Sequence, residues 1–264
     1  MVDTPGGYNL PMDTTRDPHG ERVSALFTRI ARRYDRMNRL MTFDQDQHWR
    51  RLAAKCAALK PGDRVLDLGA GTGDLSLAIL RSEPSTTVVS ADFNPRMLAG
   101  GKGKGLTGLV TADALGVPFA IATFDVVVSG FLVRNVSDLD RALGEMIRVL
   151  KPGGRLVVLD TTRPRRNILL PFIRFYLRVV IPLLGILVTG DREAYRYLPS
   201  STESFFSAGE LAEKLRIAGF VEVGYMRLMF GTAAVHWGRK NGITASTRGN
   251  ELNRQAHKGH NHTL

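Results

Sequence analysis

The chain is poor in cysteine: Cys56 stands alone in 264 residues. No intramolecular disulfide framework can form, and the composition suits a reducing compartment. Cys56 is expected to pack on a helix rather than react. Histidines and carboxylates do not gather at metal-ligand spacing, so no metal is expected. No internal repeat is present, which excludes a solenoid. No early segment joins a positive start, an apolar centre and a small-residue cleavage site, so no signal peptide is expected. Acids are fewer than bases, 25 against 36, for a net charge of +11. Such an excess favours an anionic partner, nucleic acid or an acidic membrane leaflet, unless it is merely solvated. It is partly local: Arg29, Arg32, Arg33, Arg36 and Arg39 crowd one region, and Arg163, Arg165, Arg166, Arg174 and Arg178 another. Basic residues interleaved with aromatics are missing, so no nucleic acid is expected as a partner. The one long apolar stretch, Ile168 to Val188, carries Arg174, Arg178, Pro171 and Pro182. A buried arginine costs roughly 2.5–3.5 kcal/mol on insertion scales, which argues against spanning a bilayer. Two readings remain: a helical pair packed on the core, and a lid whose apolar face rests on a membrane or a lipid tail.

What is present begins with bulk. Hydrophobic residues make up 44% of the chain, enough for one substantial domain. The most informative stretch is Val65-Leu66-Asp67-Leu68-Gly69-Ala70-Gly71-Thr72-Gly73-Asp74. A buried strand, alternate glycines and the amphipathic start of a helix together read as a nucleotide-binding entry. The spacing is Gly-x-Gly-x-Gly rather than the dinucleotide Gly-x-Gly-x-x-Gly, and Asp74 at the helix start would repel a phosphate. A second apolar run, Thr87 to Ala91, ends in Asp92, where a carboxylate can accept hydrogen bonds from both ribose hydroxyls. A cationic, phosphate-free nucleoside fits this pattern, and S-adenosylmethionine is the common one. The motif resembles the first motif of seven-strand methyltransferases.

Taken in order, residues 1 to about 20 are polar and predicted to be disordered. Arg22 to Arg39 has helical spacing, with Val23, Leu26, Phe27, Ile30 and Tyr34 on one face. A second helix carries Trp49, Leu52, Ala53, Cys56 and Leu59 and stops at Pro61-Gly62; both are placed to cover the mouth of the nucleotide fold. Strands 64–68, 87–91, 108–111, 124–129 and 155–160 alternate with helices 74–81, 95–101 and 138–150, the signature of an α/β, mostly parallel sheet. Gly100 to Gly108 holds five glycines in nine residues and is expected to be a loose loop. Lys151-Pro152-Gly153-Gly154 is expected to be a sharp turn. Ser207 and Glu210 form a capping box for a helix over 207–219. Residues 221–229 and 232–237 read as an antiparallel hairpin around Gly231. His236 in its second strand reads as a core or edge histidine. Residues 241–264 are predicted to be a disordered basic tail. The domain thus runs over 21–240, with lid helices at 21–60 and an apolar lid insertion at 161–206.

Several stretches resemble the ubiquinone/menaquinone biosynthesis C-methyltransferases over about residues 22 to 240. They are Tyr34-Asp35-Arg36-Met37-Asn38-Arg39-Leu40-Met41, the glycine motif, Arg134-Asn135-Val136-Ser137-Asp138, Glu145 to Asp160, and Tyr195-Arg196-Tyr197-Leu198. The resemblance implies a class I methyltransferase fold: a seven-stranded, mostly parallel sheet with helices on both faces and one antiparallel strand. It implies methyl transfer from S-adenosylmethionine to a ring carbon of a polyprenyl hydroquinone, as in demethylmenaquinol to menaquinol or the equivalent benzoquinol step. The cofactor set it implies is Asp67, Gly69, Gly71, Thr72, Gly73, Asp92, Asp113, Ala114 and Ser129, although the family's serine aligns on Gly130. Asp113 also follows the third strand at the sheet's carboxyl edge, where adenine needs an acceptor. Tyr34, Arg134 and Asn135 match residues placed around the quinol. Arg134 would stabilise a developing phenolate and Asn135 would fix a hydroxyl. The chain departs from the family at Asp46, which stands at a histidine position, with His48 two residues on; the open readings are that His48, Asp46 or neither takes that histidine's place. The same reading implies a peripheral site at the cytoplasmic, inner face of an anionic membrane, and leaves a homodimer open. The alternatives are a methyltransferase for another small or lipid acceptor, a nucleic-acid methyltransferase or binder, and a non-catalytic cofactor-binding relative.

Overall fold

The computed structural model describes residues 18–164, 168–189 and 192–242; the expectations for residues 1–17, Arg165, Arg166 and the tail beyond 242 lie outside them. Helices α1 (Pro18–Ile30), α2 (Tyr34–Thr42) and α3 (Gln45–Cys56) lead the chain. Then come β1 (Arg64–Leu68), α4 (Asp74–Ser82), β2 (Thr87–Asp92), α5 (Pro95–Gly103), β3 (Leu109–Thr111), β4 (Phe124–Gly130), α6 (Leu139–Val149) and β5 (Leu150–Thr161). The rest is α7 (Leu170–Phe175), α8 (Ile181–Thr189), α9 (Arg192–Ser204), α10 (Ala208–Ile217), β6 (Phe220–Leu228) and β7 (Ala233–Lys240).

The strands form one seven-stranded sheet in the order β3-β2-β1-β4-β5-β7-β6. Only β7 runs against its neighbours, pairing antiparallel with both β5 and β6. Side chains alternate across the pleat, and the two faces show it. Leu156 and Val158 of β5 join a core with Leu143 and Met146 of α6 and Leu211 and Leu215 of α10. Val157 and Leu159 join the opposite core with Ala53 of α3 and Leu75 and Ile79 of α4. Strand order reverses between β1 and β4, so a crevice opens at their carboxyl ends, where open α/β sheets bind ligands.

Four expectations are corrected. The helix read over Arg22 to Arg39 is two helices, because Ala31–Arg33 tighten into a 3-10 turn before Tyr34. The glycine tract is helical up to Gly103, and only 104–108 form a loop, which is packed rather than loose. Helix α5 continues to Gly103, and a Cβ on Gly100 would meet the Thr72 methyl at 3.1 Å, while one on Gly108 would meet the Val88 carbonyl oxygen at 2.5 Å. Small residues there let α5 and β3 press against the first glycine turn and β2. Lys151 to Gly154 lie inside β5, where the pairing with β4 shifts between Phe124 and Val126 and Gly153 takes φ +75°. A bulge, not a turn, therefore absorbs these residues.

The fourth concerns the apolar stretch, which is not a packed pair. α7 and α8 join through a π-helical turn at Tyr176–Val180 into one helix over Leu170–Val188. One face carries Tyr176, Leu177, Ile181 and Leu184 onto Leu26, Ile30, Met37 and Met41 of α1 and α2 and onto Tyr195 of α9. The other face leaves Phe172, Phe175, Val179, Leu183 and Leu187 exposed. Arg178 escapes this surface by pairing with Glu203 of α9.

Candidate active site

The crevice above β1 and β4 holds a pocket built from strand ends. Gly69 and Gly71 follow β1, Asp92 ends β2, Asp113 and Ala114 follow β3, and Phe131 and Leu132 follow β4. Both turn glycines have positive φ, +75° and +58°. A Cβ on Gly69 would also lie 2.7 Å from the Leu132 side chain, so only glycine fits there. Asp92 closes the turn: the Gly71 N–H donates to one carboxylate oxygen and the Asn94 N–H to the other, each at 2.8 Å. Each oxygen keeps an acceptor site for a ligand hydroxyl. Burial pushes the Asp92 carboxyl up, and these two backbone donors pull it back. The described lining contains two carboxylates and no lysine or arginine. A pyrophosphate would find no cation there, whereas a cationic nucleoside suits the donor set. Val23, Ser24 and Phe27 of α1 cover the opening.

Four residues of the expected cofactor set stand behind this wall. Asp67 is fully buried, accepts from the Ser76 hydroxyl at 2.6 Å, and leaves its Oδ1 unpartnered. Burial raises its carboxyl to about 6. The Thr72 hydroxyl donates to Asp35 of α2, and Lys104 bridges Asp35 at 2.7 Å and Asp74 at 2.5 Å. This cluster ties the N-terminal helices to the back of the glycine turn. Gly73 packs on Leu106 and Ser129 is buried within β4. Phe93, Asn94, Met97, Leu115 and Leu132 also line the pocket and were not read from the sequence. Their common signal is position just beyond a strand's carboxyl end.

A larger cavity of about 350 Å³ adjoins it, and Tyr34 and Phe131 line both. Its walls come from α2, α3, the π-helical stretch and the β6–β7 connection: Asn38, Met41, Asp46, Trp49, Tyr176, Leu177 and Met229 among them. Phe43, Phe172 and Phe230 line it while remaining well exposed, at 68%, 74% and 69%, so they form an apolar rim. Phe43, Phe131, Met229 and Phe230 all have positive φ, 53°, 61°, 42° and 56°. Such conformations in bulky residues cost on the order of 1–3 kcal/mol and concentrate at working sites.

Phe131 shows how one is held. Its N–H donates to the Leu159 carbonyl at 2.7 Å, and its carbonyl accepts from the Asn135 amide at 2.8 Å. The Asn135 carbonyl oxygen in turn accepts from the Tyr197 hydroxyl at 3.0 Å. Asn135 therefore lines the smaller pocket, with its side chain engaged on protein partners, while Arg134 and Tyr34 reach the larger cavity. Arg134 is buried and bonds Asp160 at 2.5 Å, leaving its Nε without a partner. Burial opposes its charge, but Asp160 outweighs it and the guanidinium titrates above its ordinary value. Arg50 and Arg134 lie 5.3 and 5.5 Å from the Phe131 ring centroid, a cation–π contact from each. Burial pushes the Tyr34 hydroxyl up, against the pull of Arg50 and Arg134. Asp46 lines the cavity, whereas His48 is exposed and lies outside both linings. His236 is buried in β7, bonded to the Ala208 carbonyl. Among the described residues no metal-ligating cluster occurs.

Residues 15–240 match the model of the ubiE/COQ5 methyltransferase family. The chain is 48% identical over 225 residues to the ubiquinone/menaquinone biosynthesis C-methyltransferase UbiE of Desulfotalea psychrophila, covering 84% of this chain and 91% of that one. It is 45% identical to the demethylmenaquinone methyltransferase of Thermus thermophilus, covering 81% and 99%. Among solved structures it resembles a SAM-dependent methyltransferase from Thermotoga maritima, with a TM-score of 0.59 and 22% identity over 82% of this chain and 99% of that one. It also resembles the cyclase SpnF, with a TM-score of 0.62 and 18% identity over 84% and 96%. At that identity the structural likeness speaks for the fold alone.

Proposed function

The chain belongs to the ubiE/COQ5 methyltransferase family, and from that membership we propose how its two pockets divide the work. It is an S-adenosylmethionine-dependent C-methyltransferase of quinone biosynthesis, acting on the ring of a polyprenyl hydroquinone. The observation that carries the division is the shared wall of Tyr34 and Phe131 between a glycine-turn pocket and an aromatic-rimmed cavity. S-adenosylmethionine, when bound, supplies an electrophilic methyl group. Asp92 would hold the ribose hydroxyls, Gly69 and Gly71 leave room for the nucleoside, and Asp113 with Ala114 would border the base. The apolar walls of the larger cavity exclude water and take the aromatic ring. Holding the ring carbon against the methyl group is the larger part of the rate enhancement, because orientation alone is worth several orders of magnitude. Arg134, kept charged by Asp160, faces the cavity as the cation that stabilises a phenolate. Tyr34 orients the ring at the shared wall, and Asn135 acts by fixing Phe131.

The prenyl chain would leave past Phe43, Phe172 and Phe230 along the exposed face of Leu170–Val188. That face supports a peripheral site on the cytoplasmic side of an anionic membrane, with the net charge of +11 adding attraction. Incubation with labelled S-adenosylmethionine and, separately, reduced demethylmenaquinol and a methoxy-polyprenyl benzoquinol tests the reading. Label is expected in one ring class and at least 100-fold less in Arg134→Ala; cofactor binding without label in either quinol would move the activity to another acceptor.

A further inference from the structure

Asp46 is the one carboxylate among the described residues lining the larger cavity, and Arg134 is the one cation. A hydroquinone that enters must lose its hydroxyl proton before its ring becomes strongly nucleophilic, and Arg134 has no lone pair with which to take it. Asp160 already accepts from Arg134 and from the Thr161 N–H, and it does not line the cavity. Asp46 differs. It is 1% exposed, so bulk water does not saturate it. Thr42 has a single hydroxyl proton, and its Oγ1 lies 2.7 Å from the Asn38 carbonyl oxygen and 3.2 Å from Asp46 Oδ1. The shorter contact takes that proton, leaving Oδ1 with open acceptor capacity. Gln47 reaches Oδ2 at 3.2 Å, and Arg50 Nε stands 3.6 Å from the same oxygen without a hydrogen-bond partner. Arg50 thus supplies a positive charge beside the carboxylate without committing a hydrogen bond to it.

We infer that Asp46 is the proton acceptor for the quinol hydroxyl. The inference rests on the quinol reading above. The phenol O–H bond breaks, its proton moves to Asp46, and the electron pair left on oxygen feeds the ring. The ring carbon bonds to the methyl as the methyl–sulfur bond breaks, with that pair left on sulfur. When the product meets solvent at the cavity mouth, the ring C–H proton leaves to water, its pair restores the aromatic ring, and the oxygen recovers its proton from Asp46. One proton is released overall. Tyr34, Tyr176 and Arg134 are the other ionisable groups lining the cavity; Arg50 pairs with Asp46 from its own helix, and Asp74, which shares the Gln47 amide with Asp46, is held by Lys104.

The test uses the full chain and whichever reduced quinol the wild type methylates. Asp46→Asn keeps the shape and removes the basicity; its kcat should fall at least 100-fold. Quinol affinity, read by quenching of Trp49 in the cavity wall, should change less than threefold. Asp46→Ala should regain at least tenfold in rate with added formate or imidazole. A kcat for Asp46→Asn within threefold of wild type, or a loss confined to quinol affinity, would overturn the inference. If Asp46→Asn does not fold, Asp46→Ala without any response to formate or imidazole overturns it in its place. A wild type that binds cofactor but labels no quinol instead overturns the underlying reading, and the two failures are told apart by that control.

Discussion

At the residue scale, two buried ionisable groups pull stability in opposite directions as pH falls. Burial in β7 lowers His236 to about 4. Between pH 4 and 6.5 the unfolded chain binds a proton there that the folded one refuses, so stability is lost as pH falls through that window. Burial raises Asp67 to about 6. Between the ordinary carboxyl value and pH 6 the folded chain holds the extra proton, so its contribution rises as pH falls. Each gap corresponds to roughly 3 kcal/mol. Denaturation midpoints taken from pH 7 to pH 4 should therefore diverge in sign: wild type loses ground to His236→Gln and gains ground on Asp67→Asn. Parallel curves would contradict the burial argument. Asp92 makes the third case. Asp92→Asn should weaken S-adenosylmethionine at least tenfold by calorimetry, about 1.4 kcal/mol, while Trp49 quenching by the quinol stays unchanged. Asp92, Gly69 and Gly71 were legible because strand ends and glycine spacing are local signals. Thr72 and Asp35 were not legible as a pair, since their bond joins residues from two separate helical and turn segments.

At the scale of elements, glycine does more than punctuate. Gly185 in α8 faces Tyr195 of α9, and a Cβ there would lie 2.1–2.4 Å from the tyrosine. Gly185→Ala should cost about 1–3 kcal/mol and lower the thermal midpoint, while S-adenosylmethionine affinity holds; an unchanged midpoint would mean the two helices do not rest on each other there. Apolar runs located β1, β2 and β4 and helical periodicity located α4 and α6 to within a residue or two, because the central strands are buried on both faces and each helix buries one face against the sheet. It failed at Gly100–Gly108 and at Lys151–Gly154 for one reason: composition marks where a backbone can bend, but close packing decides whether it does. The apolar stretch failed differently. Its hydrophobicity was plain, yet only the contacts with α1, α2 and α9 fix which face remains outside.

At the scale of the whole molecule, the exposed face of Leu170–Val188 meets the aromatic rim at Phe172, and the cavity behind that rim shares Tyr34 and Phe131 with the glycine-turn pocket. The Phe172→Ser, Leu187→Ser double variant should float with anionic vesicles at least fivefold less than wild type and bind S-adenosylmethionine equally well; equal flotation would remove the membrane contact. The mostly parallel sheet followed from alternation and its single antiparallel strand from family resemblance, whereas the strand order is seen only in the fold. The division into two pockets did not, because Tyr34, Phe131 and Met229 meet only after three distant segments fold together. The central claim is methylation at carbon in the larger cavity. The most direct measurement is the mass of the product before and after mild oxidation. The account predicts a quinol heavier by one methylene that oxidises fully to the corresponding methylated quinone. A product that gains the same mass but resists oxidation carries its methyl on oxygen, and would contradict the account.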